Sequence, residues 1–253
     1  SLTSVMFEAR ISLTIANSTK FIMAKKSIDI LFEDNHLIAV NKPAGLLVQG
    51  DKTGDETLAD LVKAYIKVAK NKPGDVYLGI VHRLDRPVSG VVLFAKTSKA
   101  LVRLNKMFAE RETKKVYWAV VTKRPEQEKG KLVHWLRKNQ EKNRSKAFTS
   151  EAKYTKYAEL NYKMLRASDR YTLLEVYPKT GRHHQIRVQL SKMGCSIKGD
   201  LKYGASRSNP DASIHLHARR LELMHPVKKE PISITAKVPT ENLWREFDKM
   251  VKG

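Results

Sequence analysis

Residues 79–96 read GIVHRLDRPVSGVVLFAK, with two apolar runs, 80–81 and 91–95, flanking the charged loop His82-Arg83-Leu84-Asp85-Arg86. The runs are short, rich in β-branched residues and bounded by turn residues, the pattern of buried strands. A carboxylate between two arginines on such a loop is costly, because each buried ion loses on the order of several kcal/mol of solvation unless it is paired. Loops held by a rigid scaffold are also where catalytic groups collect. Asp85 is therefore the first candidate for a reactive group. In an extended segment residues two apart share a face, so Arg83 and Asp85 look into one space while His82 and Leu84 turn away. A cation close to Asp85 favours its ionised form, which suits a nucleophile. Taken alone, the pattern describes a buried ion pair that holds the loop better than it describes a catalyst.

The 253 residues suffice for one large domain or two small ones, and 42% hydrophobic residues supply a core. Lysine and arginine number 48 against 26 acids, a net charge of +22. That excess points to a polyanionic partner, nucleic acid first. No apolar run approaches the roughly 20 residues of a spanning helix, so no membrane partner is expected. The one cysteine, Cys195, allows neither an intrachain disulfide nor a multi-cysteine zinc site, and fits a reducing, cytoplasmic setting. Residues 1–26 carry scattered Ser and Thr and one acid, Glu8, without the apolar core of a secretory signal. They are read as an N-terminal extension, with Met23 a natural start and 1–22 set aside; 27–253 is read as one domain.

Strands are expected over 28–34 and 37–41, joined by Asn35-His36, before the turn Lys42-Pro43-Ala44-Gly45. Leu58, Leu61, Val62 and Tyr65 recur at helical spacing within 57–70, a helix capped by Asp55 or Thr57. Ser98 is expected to cap a second helix. Further strands are expected over 113–122, 132–136, 152–160, 171–177, 214–223 and 232–238, and helices over 182–193 and 240–251. Residues 124–131 read as a polar linker, and 138–146, KNQEKNRSK, as an exposed basic loop. Strands follow one another through turns without regular βαβ alternation. The expected class is α+β, with a largely antiparallel sheet flanked by helices.

Two more constellations carry chemistry. In Gly181-Arg182-His183-His184-Gln185-Ile186-Arg187, Arg187 is a candidate far-side partner for Asp85, or else part of a basic helix start facing solvent or phosphate. His183, His184, His215, His217 and His225 invite a metal reading, but no carboxylate or cysteine stands at ligand spacing, so no metal is expected. Tyr117-Trp118 lies in a strand, so one ring enters the core and the other the opposite face. Tyr117 is either core packing or a flat surface for stacking a base. Neither a G-x-S-x-G elbow nor a G-x-x-x-x-G-K-[ST] phosphate loop is present.

Together, HRLDRPVSGVVLFAK (82–96), KKVYWAVV (114–121), GRHHQIRVQL (181–190), IKGDLKYG (197–204) and IHLHARRLELMHP (214–226) resemble, in order, the motifs of the RluA-type RNA pseudouridine synthases. His183 departs from the Thr or Ser that relatives often carry there. The resemblance implies the pseudouridine synthase fold with a central cleft, and a catalytic domain over 27–253 without the small RNA-binding domain many relatives carry in front. It implies that Asp85 is the catalytic aspartate, paired with Arg187, and that Tyr117 stacks on the uracil. Arg83 would fill the gap left by a flipped uridine, and Ile186 would line an apolar floor. Leu84, His184 and Gln185 are the remaining substrate-side candidates. Lys138, Lys142, Arg144 and Lys146 are expected on the RNA backbone. Neither cofactor nor metal is implied, ribosomal and transfer RNA are both candidate substrates, and a monomer is the default. The alternatives are a non-catalytic RNA-binding or ribosome-assembly protein on the same fold, and a histidine-dependent metal nuclease.

Overall fold

The computed structural model describes residues 19–23 and 26–253, with side chains from Ile28 onward. Its described residues form one mixed sheet of twelve strands. Strands β1 (Thr19–Met23), β2 (Lys26–Glu33) and β3 (Leu37–Lys42) run antiparallel in succession. β1 thus belongs to the sheet although it falls in the segment the sequence set aside. The reading of residues 1–18 lies outside the described residues. Next to β3 comes β5 (Ser89–Ala95), then β11 (Leu216–Met224), β6 (Lys114–Val121), β10 (Thr172–Pro178), β9 (Lys156–Ala167), β7 (Lys129–Asn139) and β8 (Arg144–Phe148). The short β4 (Gly79–Ile80) pairs with the end of β5, and β12 (Pro231–Thr235) with β11. β5 and β11 pair in parallel; every other strand pairing among the described residues is antiparallel.

Among the described residues four α-helices cover the sheet. α1 (Leu58–Ala69) opens with a reciprocal cap, in which Asp60 N donates to Thr57 Oγ1 at 3.2 Å and Thr57 N to Asp60 Oδ2 at 2.9 Å. α2 (Ser98–Ala109) is capped by Thr97 and not, as expected, by Ser98: Thr97 keeps extended backbone and accepts from Ala100 N, so Ser98 is already helical. α3 (Gln185–Lys192) starts three residues later than the expected 182, because His184 takes a left-handed conformation with φ 53°. α4 (Asn242–Lys252) buries Trp244 and Phe247 against Trp118, Val120 and Leu173.

The basic segment 138–146 is a correction to the sequence reading: it is the tip of the β7–β8 hairpin. Its cations hid the alternation beneath them. Ser145 and Ala147 turn inward as small residues, and Asn143 supplies the turn with φ 42°, a conformation asparagine tolerates. Likewise β7 begins at Lys129, inside the expected polar linker.

The 81–88 loop, which holds Asp85, leaves β4 and enters β5 where β11 crosses closest. Gly90 lies there with φ 119°, and a Cβ on it would sit 2.3 Å from the Ala218 carbonyl oxygen. Glycine is required both by the backbone angle and by the approach of β11. Gly90→Ala is expected to remove about 3 kcal/mol or more of unfolding free energy, measured by urea titration. A loss under about 0.5 kcal/mol, the range of neutral surface changes, would contradict this account of the crossing.

Candidate active site

A buried lysine holds the Asp85 loop from behind. Lys42 is fully buried, and its Nζ donates to the carbonyls of Pro43 (2.9 Å), Leu46 (2.7 Å) and Arg86 (3.2 Å). Burial lowers the Lys42 pKa to about 7, and the negative charge of Asp85 opposes the drop. Gly45 N donates to the Arg86 carbonyl at 2.7 Å, and Ile214 N to that of Pro87 at 3.1 Å. Leu84 anchors the loop from within, packed in the core with Val88 and Ile186. His82 turns the other way: its Nε2 accepts from Leu93 N at 2.9 Å, and its ring lies 5.0 Å from that of Phe108. Burial, with Lys115 close by, pulls its pKa down to about 3.

The two arginines beside Asp85 in sequence are not its partners. Arg86 pairs with Asp55 at 2.7 Å on the surface, and Arg83 stands exposed at the cleft mouth. The cation at Asp85 arrives from α3, where Arg187 Nη1 donates to Asp85 Oδ2 at 3.1 Å. Arg187 is held in turn by Asp200, to which Nε donates at 2.8 Å and Nη2 at 2.9 Å. Arg187 is 5% exposed and Asp200 1%. Burial works against the guanidinium charge, but Asp200 and Asp85 outweigh it, and the Arg187 pKa moves up. The other Asp85 oxygen, Oδ1, has no hydrogen-bond partner among the described residues, and the side chain is 33% exposed at the cleft wall.

His184 completes this corner. Its Nδ1 lies 2.7 Å from the Tyr203 hydroxyl, which accepts from Ser145 N at 2.8 Å, so Tyr203 donates to Nδ1 and Nε2 keeps the proton. Burial and then Arg187 drive the His184 pKa far down. A neutral imidazole with Nε2 at 3.6 Å from Asp85 Oδ2 is neither an ion pair nor a hydrogen bond. The left-handed turn at His184 is fixed by Gln185, whose Oε1 accepts from Thr180 Oγ1 (2.6 Å) and Arg182 N (3.0 Å), and whose Nε2 donates to the Glu159 carbonyl (3.0 Å). The polar atoms of Gln185 are thus engaged within the protein. His183 stacks on His184 at 3.7 Å and hydrogen-bonds Ser145 Oγ and Asn143 Oδ1 on the hairpin.

These groups line a cleft of about 710 Å³. Ile186, 7% exposed, contributes to its floor. Tyr117 forms a side wall and is half-buried, whereas Trp118 points away under α4 with Nε1 donating to Glu175 Oε2 at 3.0 Å. Burial, then the Asp85 charge, raises the Tyr117 pKa, so its hydroxyl stays protonated. Lys138 lies at the rim, and Lys142, Arg144 and Lys146 stand exposed along the hairpin. Lys115 also faces the cleft. Burial lowers its pKa, and its Nζ sits 4.9 Å over the Phe108 ring with no carboxylate partner among the described residues.

Lys42, Lys115, Asp200 and Tyr203 were not singled out from sequence. A lysine in a KPAG turn or a KKVY strand reads as a solvated cation. The enclosure of Lys42 and the reach of Asp200 back to Arg187 arise only in the folded chain. Among the described residues no three His, Cys, Asp or Glu side chains are placed to hold a metal ion, and no helix is long and apolar enough to cross a membrane. His215 and His217 do share a face, against Trp244 at 5.2 and 5.8 Å, but they bond Glu241 and Ser89, and His225 bonds Asp34.

A family profile described as RNA pseudouridylate synthase matches residues 36–192. An uncharacterised RNA pseudouridine synthase of Synechocystis is 33% identical over 216 residues, 84% of this chain and 66% of that protein. The ribosomal large subunit pseudouridine synthase C of Rickettsia prowazekii is 34% identical over 86% of this chain and 71% of its own. The tRNA pseudouridine synthase C of Vibrio parahaemolyticus is 31% identical over 89% of this chain and 95% of its own. The solved structure of human RNA pseudouridylate synthase domain containing 4 shares the fold, with TM-score 0.72 and 24% identity over 88% of this chain and 92% of that one.

Lys42→Met leaves three carbonyls without their donor, and a loss of about 3 kcal/mol or more in urea titration is expected. A loss below about 1 kcal/mol would contradict the anchoring role. The buried imidazoles set an acid limit. His82 and His217, with pKa values pulled by burial to about 3 and about 4, bind fewer protons folded than unfolded. Their contribution to stability is complete above pH of about 6.5 and is lost as pH falls toward those values. His82→Gln keeps an acceptor for Leu93 N and is expected to flatten the stability–pH slope in that window by about one proton. An unchanged slope would contradict a neutral, buried His82.

Proposed function

The chain belongs to the RluA-type RNA pseudouridylate synthase family, and we propose that it isomerises uridine to pseudouridine in ribosomal or transfer RNA, with Asp85 as the catalytic group. The single observation that carries this reading is the carboxylate of Asp85 at the wall of a basic cleft. One of its oxygens is held at 3.1 Å by a buried arginine, and the other has no hydrogen-bond partner among the described residues. A second carboxylate, Asp200, fixes the plane of that arginine and so the direction from which it meets Asp85.

A uridine inside structured RNA must leave its stack to reach Asp85, at a cost of a few kcal/mol. Arg83, exposed at the mouth, fills the vacancy, and Tyr117 stacks on the extruded uracil. Asp85 then attacks covalently or takes a sugar proton. Either route breaks the bond from ribose carbon 1′ to uracil nitrogen 1. The uracil turns and carbon 5 bonds to carbon 1′ as the Asp85 ester breaks or, on the other route, as the abstracted sugar proton returns. The carbon 5 proton then leaves and nitrogen 1 takes a proton from solvent. Ile186 and Leu84 supply apolar surface that keeps water from the intermediate. His184 and Gln185 hold the turn that delivers Arg187. Lys138, Lys142, Arg144 and Lys146 bind phosphate, so affinity falls with salt. The reaction draws on no cofactor or metal, and a cytoplasmic monomer is the working form.

The test uses RNA tritiated at uracil carbon 5. Release of tritium is expected in the presence of EDTA, and Asp85→Asn is expected to lower the rate by on the order of a thousandfold or more while RNA affinity stays within about threefold. Release by Asp85→Asn at more than a tenth of the wild-type rate would contradict the assignment. Loss of RNA binding in a folded Asp85→Asn would make Asp85 a structural residue.

A further inference from the structure

The sheet face opposite α3 carries an aromatic row that the reaction above does not use. On the inner face of β7, β8 and β9, Leu136, Ala147 and Ala158 pack with Val188 and Tyr203. Alternation puts Trp135, Phe148 and Tyr157 on the outer face, and register aligns them, Trp135 standing opposite both Phe148 and Tyr157. The Trp135 and Tyr157 rings meet edge to face at 5.8 Å. Tyr157 is 38% exposed, and Trp135 and Phe148 are half-buried. Arg137 and Lys146, both exposed, stand 4.8 and 5.2 Å over the Phe148 ring. The carboxylate within the row, Glu159, is engaged by Lys131 at 3.2 Å and by the Tyr157 hydroxyl at 2.5 Å. The row reaches the catalytic cleft: Arg182, which lines the cleft, donates from Nε to the Tyr157 carbonyl at 2.9 Å.

Cross-strand aromatic pairs stabilise a sheet by themselves. That role needs neither exposure at Tyr157 nor cations placed over the rings. Exposed π-faces framed by arginine and lysine are the chemistry that takes unpaired bases: rings stack on bases irrespective of sequence, and cations follow the phosphates. We propose that the outer face of β7, β8 and β9 is a second RNA-binding surface. It takes an unpaired segment of the substrate RNA, with bases stacked on Tyr157 and Trp135 and phosphates on Arg137 and Lys146. The proposal rests on the reading of RNA as substrate, and gives the enzyme a hold on nucleotides outside the cleft.

The probe is a short oligoadenylate, which offers stacking bases and contains no uridine for the cleft. Trp118 and Trp244 are each 3% exposed, so tryptophan quenching on binding reports Trp135. Quenching is expected with the wild type and equally with Asp85→Asn. Tyr157→Leu, which keeps apolar bulk against Trp135, is expected to weaken binding about tenfold, in the range of one lost stacking contact. Arg137→Ala with Lys146→Ala is expected to reduce the slope of log affinity against log salt by about 1.4, two single-strand phosphate contacts. Binding by Tyr157→Leu within twofold of the wild type overturns the proposal, as does an equal loss of affinity for a blunt RNA duplex. Competition by polyglutamate that is equally sensitive to Tyr157→Leu overturns it too, in favour of an acidic protein partner. If Tyr157→Leu melts early, the exposed pair Arg137→Glu and Lys146→Glu carries the test: retained oligoadenylate binding refutes the surface. Oligoadenylate binding without tritium release from any cellular RNA would refute the catalytic reading alone, and tritium release without oligoadenylate quenching would refute this surface alone.

Discussion

Arg187 is a buried guanidinium shared between two carboxylates, and the cleft is arranged around that sharing. Taking a guanidinium out of water is unfavourable unless its donors are met, and removing one partner of a buried pair leaves about 3–5 kcal/mol uncompensated. Asp200 takes two donors in a bidentate grip and fixes the plane of the group. Only one further edge is directed at the cleft, and Asp85 occupies it. The three groups together carry a net negative charge, and Asp85 is the member exposed to a ligand. The fold therefore brings a charged oxygen to the cleft wall without leaving a buried cation unpaired.

Two devices bring Asp85 and Arg187 together from 102 residues apart in the chain. The first is the crossing of β5 and β11 at Gly90, which sets where the Asp85 loop enters the sheet. Lys42 then ties the loop's backbone from beneath with three hydrogen bonds. The second is the left-handed residue His184, which ends the preceding turn and starts α3 so that Arg187 is one turn in and facing the cleft. Left-handed backbone at a residue other than glycine is strained by about 1–3 kcal/mol, and such strain persists where surrounding bonds enforce it. Here the Gln185 amide and the Tyr203 hydroxyl do so.

Much of this was legible in the residues, and what was not has physical causes. Apolar runs exposed β5, β6 and β10, which are buried along most of their length, and apolar periodicity exposed α1, α2 and α4, which each bury one face. The opposite directions of Tyr117 and Trp118 follow from strand alternation and are met in the structure. The hairpin at 138–146 was missed because its inward residues are Ser145 and Ala147, too small to register as a hydrophobic pattern beside so many cations. The cap of α2 shifted by one residue because Thr97 and Ser98 are both competent and only backbone geometry chooses between them. Lys42 and Asp200 were invisible for a different reason. A single charged residue in a turn carries no sign of whether tertiary structure will enclose it, and both owe their roles to partners distant in sequence.

The central claim is that the Asp85 carboxylate, presented by Arg187, carries out the isomerisation. It is tested most directly by incubating RNA from cells lacking this gene with the purified protein and quantifying pseudouridine in a nucleoside digest by liquid chromatography. The account predicts a gain with the wild-type protein and no gain with either Asp85→Asn or Arg187→Met. A gain with Asp85→Asn, or none with the wild type, would contradict it.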